Sequence, residues 1–186
     1  MVAAISSILA TNSSVDDEIY CAKRICDLGA SAARIYPTLV FKSTELENLT
    51  VDGKYVPLSC DEAVDRSTQV LKIFIENNVT CIRIGLSDSE NLHSDETFLA
   101  GPNEPSIGEM VKSRLYFDIL CDKLHTYTGK SVVIECATGK ISQVIGNKRK
   151  NIDNLKNKFE LNHIKVIENT DLTQYEIKVK EEAICV

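Results

Sequence analysis

Apolar positions along the chain follow two rhythms, and their alternation predicts the elements. Residues 1–10 are mostly apolar but broken by Ser6 and Ser7, which suits a buried strand. After a loop at 11–14, a helix is predicted over 16–28, with Ser14 as N-cap, Asp17 in the first turn and Gly29 as the stop. A short strand at 32–36 ends at Pro37. Residues 42–58, which hold Gly53 and Pro57, read as a polar connection. Ser59-Cys60-Asp61-Glu62 has the form of a capping box. Ala63, Ser67, Val70, Leu71 and Phe74 mark the buried face of the helix it opens, and Asn77-Asn78 closes that helix. Residues 80–86 alternate as a strand through Ile82, Ile84 and Leu86. Strand, helix, strand at this spacing is a βαβ unit, which implies a parallel sheet covered by helices.

Residues 87–105 read as a long loop, and Ser106-Ile107-Gly108-Glu109 as a further capping box. Ile107, Val111, Leu115 and Ile119 then recur at four-residue steps in a helix that runs to about Tyr127 and stops at Gly129. Beyond this point the elements shorten: a strand at 131–136, a helix at 141–145, and a tight loop Gly146-Asn147-Lys148-Arg149. A helix at 151–159 and strands at 164–168 and 175–179 follow. The fold class is α/β, with a boundary expected near Thr128 that separates residues 1–128 from 129–186.

Composition narrows the partners. Hydrophobic residues at 44% and charged residues at 26% are those of a folded globular chain. A net charge of −6 argues against general coating of nucleic acid or adhesion to membranes, while leaving room for a local basic patch. No apolar run approaches the roughly 18–20 residues of a membrane span. The apolar start lacks the basic segment of a signal peptide. A cytoplasmic location is expected, with no membrane partner. Seven cysteines, an odd number, lie inside predicted helices and strands, as reduced thiols do. Cys21 and Cys26, five apart on a helix, differ by about 500° of rotation and make poor co-ligands. With no CxxC pair and three scattered histidines, no metal site is expected.

The sharpest local motif is in the tail. Strand, helix, loop, helix, strand is the minimal order of a KH module, in which a GxxG loop clamps a nucleic-acid backbone. Val144-Ile145-Gly146-Asn147-Lys148-Arg149-Lys150-Asn151-Ile152 resembles that pattern, with Arg149 where the second glycine is expected. Residues 140–158 hold Lys140, Lys148, Arg149, Lys150, Lys156 and Lys158 against Asp153 alone, a net of +5 within an acidic chain. A basic island of this kind suits phosphate contact, and it places Gly146, Lys148, Arg149 and Lys150 at an RNA-binding loop. The other reading of the same lysines is a solvated helix face.

A wider likeness runs through Arg34-Ile35-Tyr36-Pro37-Thr38-Leu39-Val40, Ser43-Thr44-Glu45-Leu46, Gly53-Lys54-Tyr55-Val56-Pro57-Leu58 and Ile82-Arg83-Ile84-Gly85-Leu86. It continues in Leu99-Ala100-Gly101-Pro102, in Pro105 with Glu109, and from Ile141 to Ile152. From about Ile19 onward the chain resembles the later part of bacterial radical S-adenosylmethionine proteins. The nearest class is that of the elongator catalytic subunit and oxygen-independent coproporphyrinogen oxidase. The resemblance implies a partial parallel β/α barrel followed by the KH-like module. It also implies a family that uses a [4Fe-4S] cluster, held by a CxxxCxxC loop, and S-adenosylmethionine. No three cysteines here have that spacing. The expectation is therefore an incomplete family member, inactive alone, with no cofactor in this chain as it stands. Its tail contacts RNA, by analogy tRNA. Asn103-Glu104 also departs from the family, where a histidine usually precedes the proline.

Arg34 and Tyr36, two apart on a strand, face the same side. The resemblance implies that they line the S-adenosylmethionine or substrate cavity. The alternative is that Arg34 pairs with a carboxylate and Tyr36 packs in the core, and Arg83 has the same ambiguity. Two further functional readings stand beside the first. In one, the chain is half of a split enzyme and seeks an N-terminal radical S-adenosylmethionine half, or self-associates. In the other, it is a ligand-free interaction module.

Overall fold

A computed structural model describes residues 3–6, 13–86, 94 and 96–182. The architecture is mixed α/β with three small sheets, and among the described residues no sheet closes into a barrel. Packing divides the chain into two compact units, 1–111 and 112–186. The division falls inside a helix rather than near Thr128.

In the first unit, strand β1 (Ala3–Ser6), helix α1 (Val15–Asp27) and strand β2 (Ala32–Ile35) are followed by helix α3 (Cys60–Glu76) and strand β4 (Thr80–Ile84). The three strands pair in parallel in the order β1-β2-β4, as a βαβ unit requires. Two reciprocal capping boxes, Ser14 with Asp17 and Ser59 with Glu62, start α1 and α3. Ala63, Ser67, Val70, Leu71 and Phe74 are all buried, as the helical period predicts. Glu18 of α1 is buried too, because the guanidinium of Arg66 on α3 binds both of its oxygens, Nε to Oε2 at 2.9 Å. Ser13 closes the cluster: its hydroxyl donates to Glu18 and its carbonyl accepts from Arg66.

Three features depart here from the sequence reading. Within the connection at 42–58 stands helix α2 (Glu45–Val51), capped by Thr44, whose hydroxyl accepts from Glu47 N–H. Within the loop at 87–105, strand β5 (Phe98–Ala100) pairs antiparallel with β3 (Val40–Phe41). Residues 87–93 and 95 of that loop lie outside the described residues. On β4 the alternation is not the expected one. The register slips between Ala33 and Arg34, and Ile82 is 55% exposed.

Helix α4 (Ile107–Leu124) follows a turn at Glu104–Ser106. Ser106 Oγ donates to Glu104 at 2.8 Å, so the acidic residue that sets this chain apart at 103–104 holds the entry to α4. Gly85, at φ 84°, shows why a glycine ends β4: a Cβ there would lie 2.6 Å from Ile107.

In the second unit, strand β6 (Ser131–Cys136) is central, with β7 (His163–Glu168) parallel on one side and β8 (Ile177–Glu181) antiparallel on the other. Helices α5 (Ile141–Ile145) and α6 (Lys150–Lys158) connect β6 to β7. Tyr116, Leu120 and Leu124 of α4 join Val132, Ile134, Val144 and Leu155 in one core. That is why the boundary precedes Thr128: the second half of α4 belongs to this core. The last strand starts later than the sequence suggests, because Tyr175 has φ 70° and its N–H donates to Tyr116 Oη at 3.1 Å, outside any ladder. No helix among the described residues is long and apolar enough to cross a membrane.

Candidate nucleic-acid interface

The loop between α5 and α6 is built around one glycine and one asparagine. Gly146 ends α5 at φ 77°, and a Cβ there would lie 2.8 Å from Asn151 Cγ. Asn151 cannot yield easily. Its buried Nδ2 donates to Ser113 O and Oγ at 3.0 Å each, and to the Val144 carbonyl at 3.2 Å. The side chain thus ties the end of α5 to the start of α6 and to α4. Sequence reading did not single out Asn151. The available signal is its position four residues before Leu155, on the buried face of α6.

From Gly146 the backbone makes a 3-10 turn over Asn147–Arg149. Lys148 and Arg149 both take left-handed conformations, at φ 49° and 65°. The second glycine of the KH pattern would suit the backbone at position 149, so the departure there is in the side chain and not in the backbone. The side chains of Lys148, Arg149 and Lys150 are exposed and make no ion pair or hydrogen bond among the described residues. Lys158, at the far end of α6, is engaged: its Nζ lies 3.5 Å from Cys121 Sγ and 5.6 Å from the Phe159 ring centre. Beside the loop runs an open groove of about 710 Å³, with Ile141 and Ile145, Lys148 and Arg149, and Glu168 among its lining residues.

In the first unit, Arg34 and Tyr36 are half-buried, while Ala33 and Ile35 between and beside them are fully buried on the opposite face. Arg34 Nη1 donates to Tyr36 Oη at 3.2 Å, so among the described residues its partner is the tyrosine and not the carboxylate the alternative expected. Arg83 is exposed and lies opposite Arg34 in the β2–β4 register, which puts both arginines on one sheet face.

Residues 30–117 match the Radical_SAM C-terminal domain. The matched segment takes in Arg34, Tyr36 and Arg83 but not the loop at 146–150. Among curated proteins and among solved structures no match is found.

That family implies an iron–sulfur cluster, and the described residues do not fit one. No group of three or more His, Cys, Asp or Glu side chains among them is placed to hold a metal ion. The six described cysteines are free, and burial pushes the thiols of Cys26, Cys60, Cys121 and Cys136 up, away from the thiolate a cluster requires. Cys185 lies outside the described residues.

Proposed function

We propose that this chain is the C-terminal, RNA-contacting portion of a radical S-adenosylmethionine family protein, without catalytic activity of its own. Its first unit corresponds to the closing β/α elements of a partial barrel, and its second to a KH-like module that contacts RNA, by analogy tRNA. The observation that carries this reading is the loop at Gly146–Lys150. A helix–loop–helix turn presents three exposed cations, none paired among the described residues, on a net-acidic protein. Phosphates are the partner that such a turn suits, since two ammonium groups and a guanidinium stand on consecutive exposed residues there.

Titration of a tRNA pool at low salt tests it. Replacing Lys148, Arg149 and Lys150 together by alanine should weaken binding at least about tenfold and reduce the salt slope by about 2. Absence of binding by the unaltered chain would refute the reading.

A second reading, a split enzyme whose cluster sits on another polypeptide, is favoured by the first unit. Ile82 on the outer strand of the described sheet is largely exposed, and Arg34, Tyr36 and Arg83 share the face away from Ala33 and Ile35. Sedimentation of the purified chain with and without a cluster-bearing candidate half separates the two readings.

A further inference from the structure

The groove beside the 146–150 loop is not uniformly basic. At the end of β7, Glu168 lines it together with Ile141, Ile145, Lys148 and Arg149. Its carboxylate is fixed in place, because Oε1 accepts the Gly139 N–H at 2.8 Å. Its other oxygen has no partner among the described residues. A carboxylate here repels the phosphates that the neighbouring cations attract, so the strand can enter only with a hydrogen-bond donor turned toward Glu168. Bases supply such donors on their exocyclic amines, as where glutamate accepts from cytosine N4, whereas the one ring donor of uracil, N3–H, is flanked on both sides by carbonyl oxygens that the negative charge repels. The apolar isoleucine pair gives the face of a base a surface to lie on.

We infer that Glu168 makes this groove select single-stranded RNA whose bases carry an exocyclic amine, and that it discriminates against uracil. The inference rests on the RNA-binding reading above and adds a specificity-determining residue to it. One charge-assisted hydrogen bond, partly open to water, is worth about a tenfold preference.

The test uses the full chain and fluorescent oligoribonucleotides of rC, rA and rU, compared by anisotropy at one low salt concentration. Oligo-rC and oligo-rA should bind about tenfold more tightly than oligo-rU. Glu168→Gln keeps an acceptor for Gly139 N–H, so the loop is retained. Its amide can offer a donor or an acceptor to the base, and the preference should shrink to within about twofold while binding persists. Equal binding of the three oligomers by the unaltered chain would overturn the inference and leave the RNA reading standing, as would a preference that survives in Glu168→Gln. Failure of all three oligomers to bind would overturn both.

Discussion

The two sheets differ in how completely their own chain covers them. In the second unit β6 has a strand on each side, its Val132, Ile134 and Cys136 are fully buried, and α5 and α6 complete the core. In the first unit the parallel sheet ends, among the described residues, at β4, where Ile82 is 55% exposed and Arg83 is open to solvent. Each of these sheets has a central strand paired on both sides and two outer strands, and the mixed one is complete within residues 131–181. An outer strand needs charge or a neighbour for protection, and the exposed positions of β7 and β8 include Lys165, Lys178 and Lys180, whereas β4 exposes Ile82. The second unit thus covers its sheet with its own helices and presents a loop, while the first depends on a buried polar tie between α1 and α3.

The strongest test of that dependence is the Glu18–Arg66 pair between α1 and α3. Glu18→Ala leaves a largely buried guanidinium without its carboxylate and should cost about 3–5 kcal/mol, measured by denaturant unfolding. A loss below about 1 kcal/mol would show that the first unit holds together by apolar packing alone.

In the second unit the expected cost is local. Gly146→Ala forces a side chain against Asn151 in a positive-φ position and should cost about 1–3 kcal/mol, with the largest rise in amide exchange at 144–152. Exchange that rises equally throughout β6 would mean that the loop and the core unfold together.

Acid should act on the second sheet through Glu135. Its hydrogen bonds from Lys180, at 2.6 Å, and from Asn169 hold the carboxyl below its ordinary value of 4.5. A depressed folded-state pKa means stabilisation that is present above the unfolded value and lost as pH falls through the folded one. Melting curves of the native chain should therefore decline more steeply below about pH 4.5 than those of Glu135→Gln. Parallel declines would remove Glu135 from the account.

The smallest effect is expected at Ile82. Ile82→Lys should change the stability of the isolated chain by no more than about 0.5 kcal/mol, because the residue already faces water. A larger loss, or a change in sedimentation, would show that β4 is covered in solution.

Much of this fold is legible in residue order. The capping box at Ser59 and the buried stripe from Ala63 to Phe74 anticipate α3, and both ends of β6 and α5 lie where the apolar pattern puts them. Helix α2 was legible too, since Thr44-Glu45-Leu46-Glu47 has the same capping form, but Gly53 and Pro57 drew the reading toward a loop. The pairing of β3 with β5 had no local signal, because two- and three-residue strands have no periodicity of their own. The tail loop was found from its glycine and its cations. Its anchor, Asn151, and the carboxylate beside it, Glu168, were not found.

Sequence alone therefore determined the local matters: which segments are helical, where they are capped, and that a cluster of cations follows a glycine. These depend on interactions within a few residues, and short-range chemistry is written in order along the chain. Only the tertiary structure decided that the second half of α4 belongs to the core of the second unit, that Arg34 and Arg83 share a sheet face, and that Glu168 lines the same groove as Lys148. Such pairings join residues far apart in the chain, and they are set by which faces can be buried together rather than by any motif.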